Sequence, residues 1–135
     1  MYTSRKLIPA TIGVAGVALA AVAMGSTSAS AVPTCQLSVD SNKVLDLQDG
    51  GNRDEIFFKL GNDKTSVLQY QLGTKRFNLG TKAFQGTIDL KVFEKDGNNV
   101  TRVGTINNIP CSNEPGELTD LSGAGAIYRV AWSVA

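Results

Sequence analysis

From Gly86 to Gly104 the chain reads GTIDLKVFEKDGNNVTRVG, and this stretch restricts the fold more than any other. Ile88, Leu90 and Val92 alternate with Asp89, Lys91 and Phe93, the run breaks at Asp96-Gly97-Asn98-Asn99, and β-branched residues resume beyond it. Period-two alternation puts one set of side chains on each face of a strand, and a Gly-Asn turn between two such runs joins them as a hairpin. The stretch predicts a hairpin from the middle of a β-sandwich, and the remaining runs must pair with it or cover it.

Those runs are present. Leu37 and Val39 alternate with polar neighbours, Asp40-Ser41-Asn42 is a turn signal, and Val44, Leu45 and Leu47 resume an apolar run. Asp49-Gly50-Gly51-Asn52-Arg53-Asp54 predicts a loop, because Gly and Asn favour turn conformations. In EIFFKL, Ile56, Phe58 and Leu60 fall on one face and Glu55, Phe57 and Lys59 on the other. Gly61-Asn62-Asp63 separates that strand from a run between Lys64 and Leu72, and Gly73 and Gly80 bracket the short segment TKRFNL. Val103 to Ile109 predicts a strand, Pro110 to Gly116 a loop and Glu117 to Leu121 a short turn. In the closing run IYRVAWSVA, Tyr128, Val130, Trp132 and Val134 share a face and should close the core. Strands at roughly ten-residue spacing with no amphipathic helix between them predict an all-β antiparallel sandwich of about eight strands.

Residues 1–31 have the layout of a secretory signal peptide. Arg5 and Lys6 precede a small, apolar run from Ile12 to Met24, and Ala29-Ser30-Ala31 offers a cleavage site, so a single domain of residues 32–135 is expected after export. Cleavage would leave eleven basic against twelve acidic residues, a net charge of −1. That balance argues against a nucleic-acid or anionic-membrane binder, since both use concentrated basic surface. The only cysteines, Cys35 and Cys111, form an even pair in an exported chain and predict one disulfide. With no His and no C-x-x-C spacing, zinc and redox chemistry lack their residues. A Ser-His or Cys-His catalytic arrangement is likewise excluded, and no S-x-x-K precedes a helix, so the chain is not expected to be an enzyme.

Hard oxygen ligands offer a different chemistry. Asp49 and Asp54 come from one predicted loop region, with Asp46 just before it, and Glu94 and Asp96 come from another, so a calcium ion could be held between them. At these residues the sequence resembles the C-two domains of synaptotagmins and protein kinase C: DLQDGGNRDEIFFKLGND is followed, after about thirty residues, by LKVFEKDGNNVTRVGTI. The resemblance implies an eight-stranded sandwich in which acidic loops meet around calcium and dock on phospholipid. It places Asp49 and Asp54 among the first-loop acids, and Glu94 and Asp96 at the start of the later cluster. The pattern departs at Glu55, where the family has proline, at Glu94, where it has the shorter aspartate, and at the last acidic position, which falls near Thr101 or Arg102.

The signal, single disulfide and compact β-domain also resemble the small exported proteins of filamentous actinobacteria. Among these are adaptor subunits of umbrella toxin particles and small exported protease inhibitors. Three functions follow as expectations: a non-catalytic, protein-binding adaptor or structural subunit of an extracellular bacterial, toxin-type assembly of exported proteins, a calcium-dependent surface or lipid-binding module, and an inhibitor presenting the Pro110 to Gly116 loop. Phe57 and Phe93, opposite the core-facing residues of their strands, are the interface candidates; if both faces are covered, they are packed instead.

Overall fold

The computed structural model describes residues 30–47 and 53–135. Among the described residues nine strands follow one another: β1 (Cys35–Asp46), β2 (Asp54–Leu60), β3 (Asp63–Lys64), β4 (Leu68–Tyr70), β5 (Lys75–Phe84), β6 (Thr87–Asp96), β7 (Asn99–Pro110), β8 (Glu114–Gly123) and β9 (Ala126–Val134). They form two antiparallel sheets, a four-stranded one in the order β5-β1-β9-β8 and a five-stranded one in the order β3-β2-β6-β7 with β4 also paired to β2. The expected hairpin is β6 and β7, with Asp96 paired to Asn99 across the Gly97-Asn98 turn. Gly97 takes a φ of +59°, a left-handed conformation glycine adopts without a Cβ clash.

The inward faces carry the alternation seen in the sequence. Ile56, Phe58 and Leu60 of β2 and Leu90 and Val92 of β6 meet Leu37, Val39 and Val44 of β1 and Tyr128, Val130, Trp132 and Val134 of β9. The last strand closes the core as expected, and Trp132 donates its indole N–H to the Thr119 hydroxyl at 3.0 Å. The Cys35–Cys111 disulfide ties the start of β1 in one sheet to the end of β7 in the other. Bridges of this kind form in oxidising compartments. The expected signal peptide lies outside the described residues apart from Ser30 and Ala31.

Four boundaries differ from the sequence reading. Asp40-Ser41-Asn42 is not a turn: β1 runs through it with a register shift between Val39 and Ser41, so the extra residue is absorbed as a bulge. Of TKRFNL, all but Thr74 opens a ten-residue strand that continues through Gly80. The run between Lys64 and Leu72 keeps only two short pieces, β3 and β4, both paired to β2. Finally, the predicted Pro110 to Gly116 loop shrinks to Cys111–Asn113, and the predicted turn at Glu117 to Leu121 is part of β8. Pro, Gly and acidic residues marked these segments as loop, yet edge strands and bulges accept the same residues.

The two sheets come close where β8 passes β7. A Cβ built at Gly123 would stand 2.2 Å from the Val103 carbonyl oxygen, and one at Gly104 would stand 3.0 Å from Leu121 Cβ. Gly123→Ala is therefore expected to lower stability by about 2 kcal/mol, since backbone must move to admit the methyl group. Denaturant titration checks this, and an unchanged midpoint would show that β7 yields without cost.

Candidate functional site

The carboxylates singled out in the sequence do not share one surroundings. Asp54 opens β2 opposite Tyr70, and Glu94 sits on β6 opposite Ile56. Both point inward and are buried, at 3% and 4% exposure, so their placement in solvated loops is corrected. Alternation explains it: Asp54 is in phase with Ile56, Phe58 and Leu60, and Glu94 is in phase with Leu90 and Val92. Asp96 is exposed at the hairpin tip, and Asp49 lies outside the described residues. Asp46 is exposed at the end of β1, where its carboxylate accepts the Leu47 backbone N–H. Among the described residues no three acidic, Cys or His side chains gather closely enough to hold a metal ion.

Asp54 instead belongs to a buried polar cluster at one end of the sandwich interior. The Tyr128 hydroxyl donates to Asp54 Oδ2 in a buried hydrogen bond. Burial first, then that hydrogen bond, then the charges of Asp54 and Glu94 and the neighbouring Tyr70 push the Tyr128 phenol well above its usual range. Tyr70 meets Tyr128 edge-on, with ring centroids 6.4 Å apart, and burial raises its phenol too. Asn42 lies beside Tyr70 and eases that rise, although neither of its buried amide atoms has a partner at hydrogen-bonding geometry. Sequence reading missed Asn42, Tyr70 and Tyr128 as members of this cluster. The signal was an acid in phase with apolar residues on two separate strands, which calls for buried donors nearby.

The outer face of the five-stranded sheet is built differently. Phe57 and Phe93 are cross-strand partners and stack with centroids 5.1 Å apart and planes 10° apart. Lys64 Nζ lies 4.1 Å from the Phe57 ring centroid and Lys59 Nζ 5.5 Å from that of Phe93, within the reach of a cation–π attraction. Phe57 is only 3% exposed, so it is packed beneath its neighbours and is not an open apolar patch; Phe93 is half-buried. Register places more cations on this face: Lys91 pairs with Lys59, and Arg102 pairs with Phe93. Lys95, two residues beyond Phe93, shares its side. Glu55 and Asp89 share this side, Asp89 standing 3.9 Å from Lys91, so the surface is an aromatic floor within a mostly cationic frame.

The link between β7 and β8 is tight. Cys111 N–H donates to the Gly86 carbonyl at 2.8 Å, Ser112 N–H to the Pro110 carbonyl at 2.9 Å, and the Ser112 hydroxyl to Glu114 at 3.2 Å. Of the Pro110 to Gly116 loop expected to be presented by an inhibitor, only Cys111–Asn113 lies outside the strands. A polar cleft of about 210 Å³ is lined by Arg53, Gln69, Gln71, Thr74 and Arg76, and both guanidinium groups already donate to Gln69.

Two stacked antiparallel sheets with these connections make a C2-like β-sandwich. Among solved structures, the chain is similar to a C2 domain of plant extended synaptotagmin 1, with a TM-score of 0.50, 16% identity, and coverage of 77% of this chain and 95% of that one. It is also similar to CC2D1B, described as coordinating ESRCT-III activity during the mitotic reformation of the nuclear envelope. There the TM-score is 0.52 at 11% identity, and the match covers 81% of this chain and 56% of that one, so the chain spans little more than half of the solved chain it matches. At such identities the likeness is one of fold. No protein-family model matches the sequence, and no curated protein matches it significantly.

Proposed function

We propose that the chain is exported after cleavage behind Ala31 and works as a non-catalytic protein-binding module, a small adaptor or structural subunit of an extracellular assembly. The observation that carries this reading is the Phe57–Phe93 stack framed by Lys59, Lys64, Lys91, Lys95 and Arg102. The expected mature chain has a net charge of −1, and this face holds five of its eleven basic residues against Glu55 and Asp89, so the face is net positive on a slightly acidic domain. Such segregation steers an acidic partner surface toward that face, and the half-buried Phe93 ring offers apolar contact once it has docked. Neither structural neighbour supports the toxin-type particle named by resemblance, and the reading stops at an extracellular assembly of exported proteins.

Affinity capture from the producer's culture supernatant, with the oxidised 32–135 chain as bait, tests this. The expected outcome is a stoichiometric exported protein with an acidic surface, retained in the presence of chelator. Phe93→Ala with Lys64→Glu is expected to weaken its retention about tenfold or more. Retention that vanishes with chelator would replace this reading with calcium-dependent binding, and retention unaffected by the double substitution would move the interface elsewhere.

A further inference from the structure

The four-stranded sheet ends in β5 on one side and β8 on the other, and these edges differ in kind. β5 reads KRFNLGTKAF, with Lys75, Arg76 and Lys82 and no acidic residue. β8 reads EPGELTDLSG, with Glu114, Glu117 and Asp120 and no basic residue. Each edge also carries a large exposed apolar side chain, Phe77 at 63% on β5 and Leu118 at 70% on β8.

Register ties these residues together across the sheet. One row runs Lys75, Lys43, Arg129, Asp120; another runs Phe77, Ser41, Ala131, Leu118; a third runs Lys82, Leu37, Val134, Glu114. In each of these rows the β5 end complements the β8 end, cation to anion or apolar to apolar. A second copy set beside the first would bring Lys75 to Asp120 and Phe77 to Leu118 in one register, and Lys82 to Glu114 across a one-residue bulge, because β5 and β8 each carry a register shift between those rows. Through the Lys75 and Phe77 rows the same placement suits the backbone. All three pairings within the sheet are antiparallel, so with four strands β5 and the neighbouring copy's β8 run in opposite directions. An even number of strands also continues the alternation of bonded and non-bonded pairs across the joint. A cleft of about 450 Å³ lies beside β5, lined by Ser66, Leu68 and residues 75–79.

We infer that copies of this chain join head to tail, β8 of one adding to β5 of the next, so that the four-stranded sheet continues from copy to copy. The joint is heterologous, so it propagates as an open chain or a ring and does not stop at a two-fold dimer. Edge strands usually carry charge to prevent such pairing. Here the strand residues of each edge carry one sign, with Lys82 shared with Asp63 and Asp120 with Arg129 inside the copy, and Lys75 of β5 and Glu117 of β8 make the edges of opposite charge. The joint leaves the outer face of the five-stranded sheet uncovered, so partner capture through Phe93 and Lys64 stands or falls separately from it.

Analytical ultracentrifugation of the oxidised 32–135 chain over a concentration series tests the joint. The weight-average mass is expected to rise past that of two copies and to fall back when salt is raised. Phe77→Asp and Leu118→Asp, both at exposed positions, are each expected to give single copies with unchanged thermal stability. Mixed together, these variants are expected to form a one-to-one pair, because one keeps a native β8 edge and the other a native β5 edge. Wild-type chain that stays a single copy at every concentration overturns the inference, as does a mixture that fails to pair.

Discussion

Replacing Cys35 and Cys111 together by alanine is expected to lower the unfolding free energy by about 4 kcal/mol. The bridge spans 76 residues of sequence and encloses β1 to β7, so opening it returns a large loop's freedom to the unfolded chain. It is also a covalent tie between the two sheets, from the start of an inner strand to the end of an edge strand. Small domains hold only about 5 to 15 kcal/mol of stability in total, so the loss is a large share of it. For a domain near 100 residues it corresponds to a fall in Tm on the order of 20 °C. Denaturant titration of the oxidised chain against the double variant measures the difference. A change below about 1 kcal/mol would mean that the unfolded chain keeps its ends together without the bridge.

How far the sequence reaches can be traced through single residues. The hairpin at Gly97-Asn98, the inward set Ile56, Phe58 and Leu60, the closing face of β9 and the disulfide were all legible, because each rests on local period or on a count of two cysteines. Asp40 and Gly80 misled because a bulge and a bend inside a strand use the same residues as a turn, and only the pairing partner distinguishes them. The acids at Asp54 and Glu94 were found, but their surroundings were not. Flanking Gly and Asn residues marked them as loop, whereas the phase of their own strands turns them inward. Phe57 illustrates a further limit: it does face away from the core, and Lys64 and Phe93 still cover it. The complementary edges of β5 and β8 are visible only once register is known, since Lys75 and Asp120 are 45 positions apart in the chain and belong to one row through Lys43 and Arg129.

Tyr128→Phe is expected to destabilise the domain by about 3 kcal/mol at neutral pH, although it removes a single oxygen. That hydroxyl donates to Asp54, and without it a carboxylate that stays buried beside Tyr70 loses its phenol partner. The same bond makes stability depend on alkaline pH, and its sign follows from linkage. The Tyr128 phenol is raised above the ordinary 10.0, so the folded chain holds its proton more tightly than the unfolded chain does. The stabilisation is complete below about pH 10 and is lost as pH climbs above it toward the folded value, because the unfolded phenol ionises first. Each phenol kept neutral in this way costs about 1.4 kcal/mol per pH unit above that point. Tyr70, raised by burial, contributes in the same direction. Unfolding free energies measured from about pH 7 to about pH 11 should therefore fall steeply only at the alkaline end, with a slope reduced by about one proton in Tyr128→Phe. Equal slopes in the two proteins would show that Tyr128 ionises as freely in the folded state as in the unfolded one, and the buried cluster would lose its part in the stability of the fold.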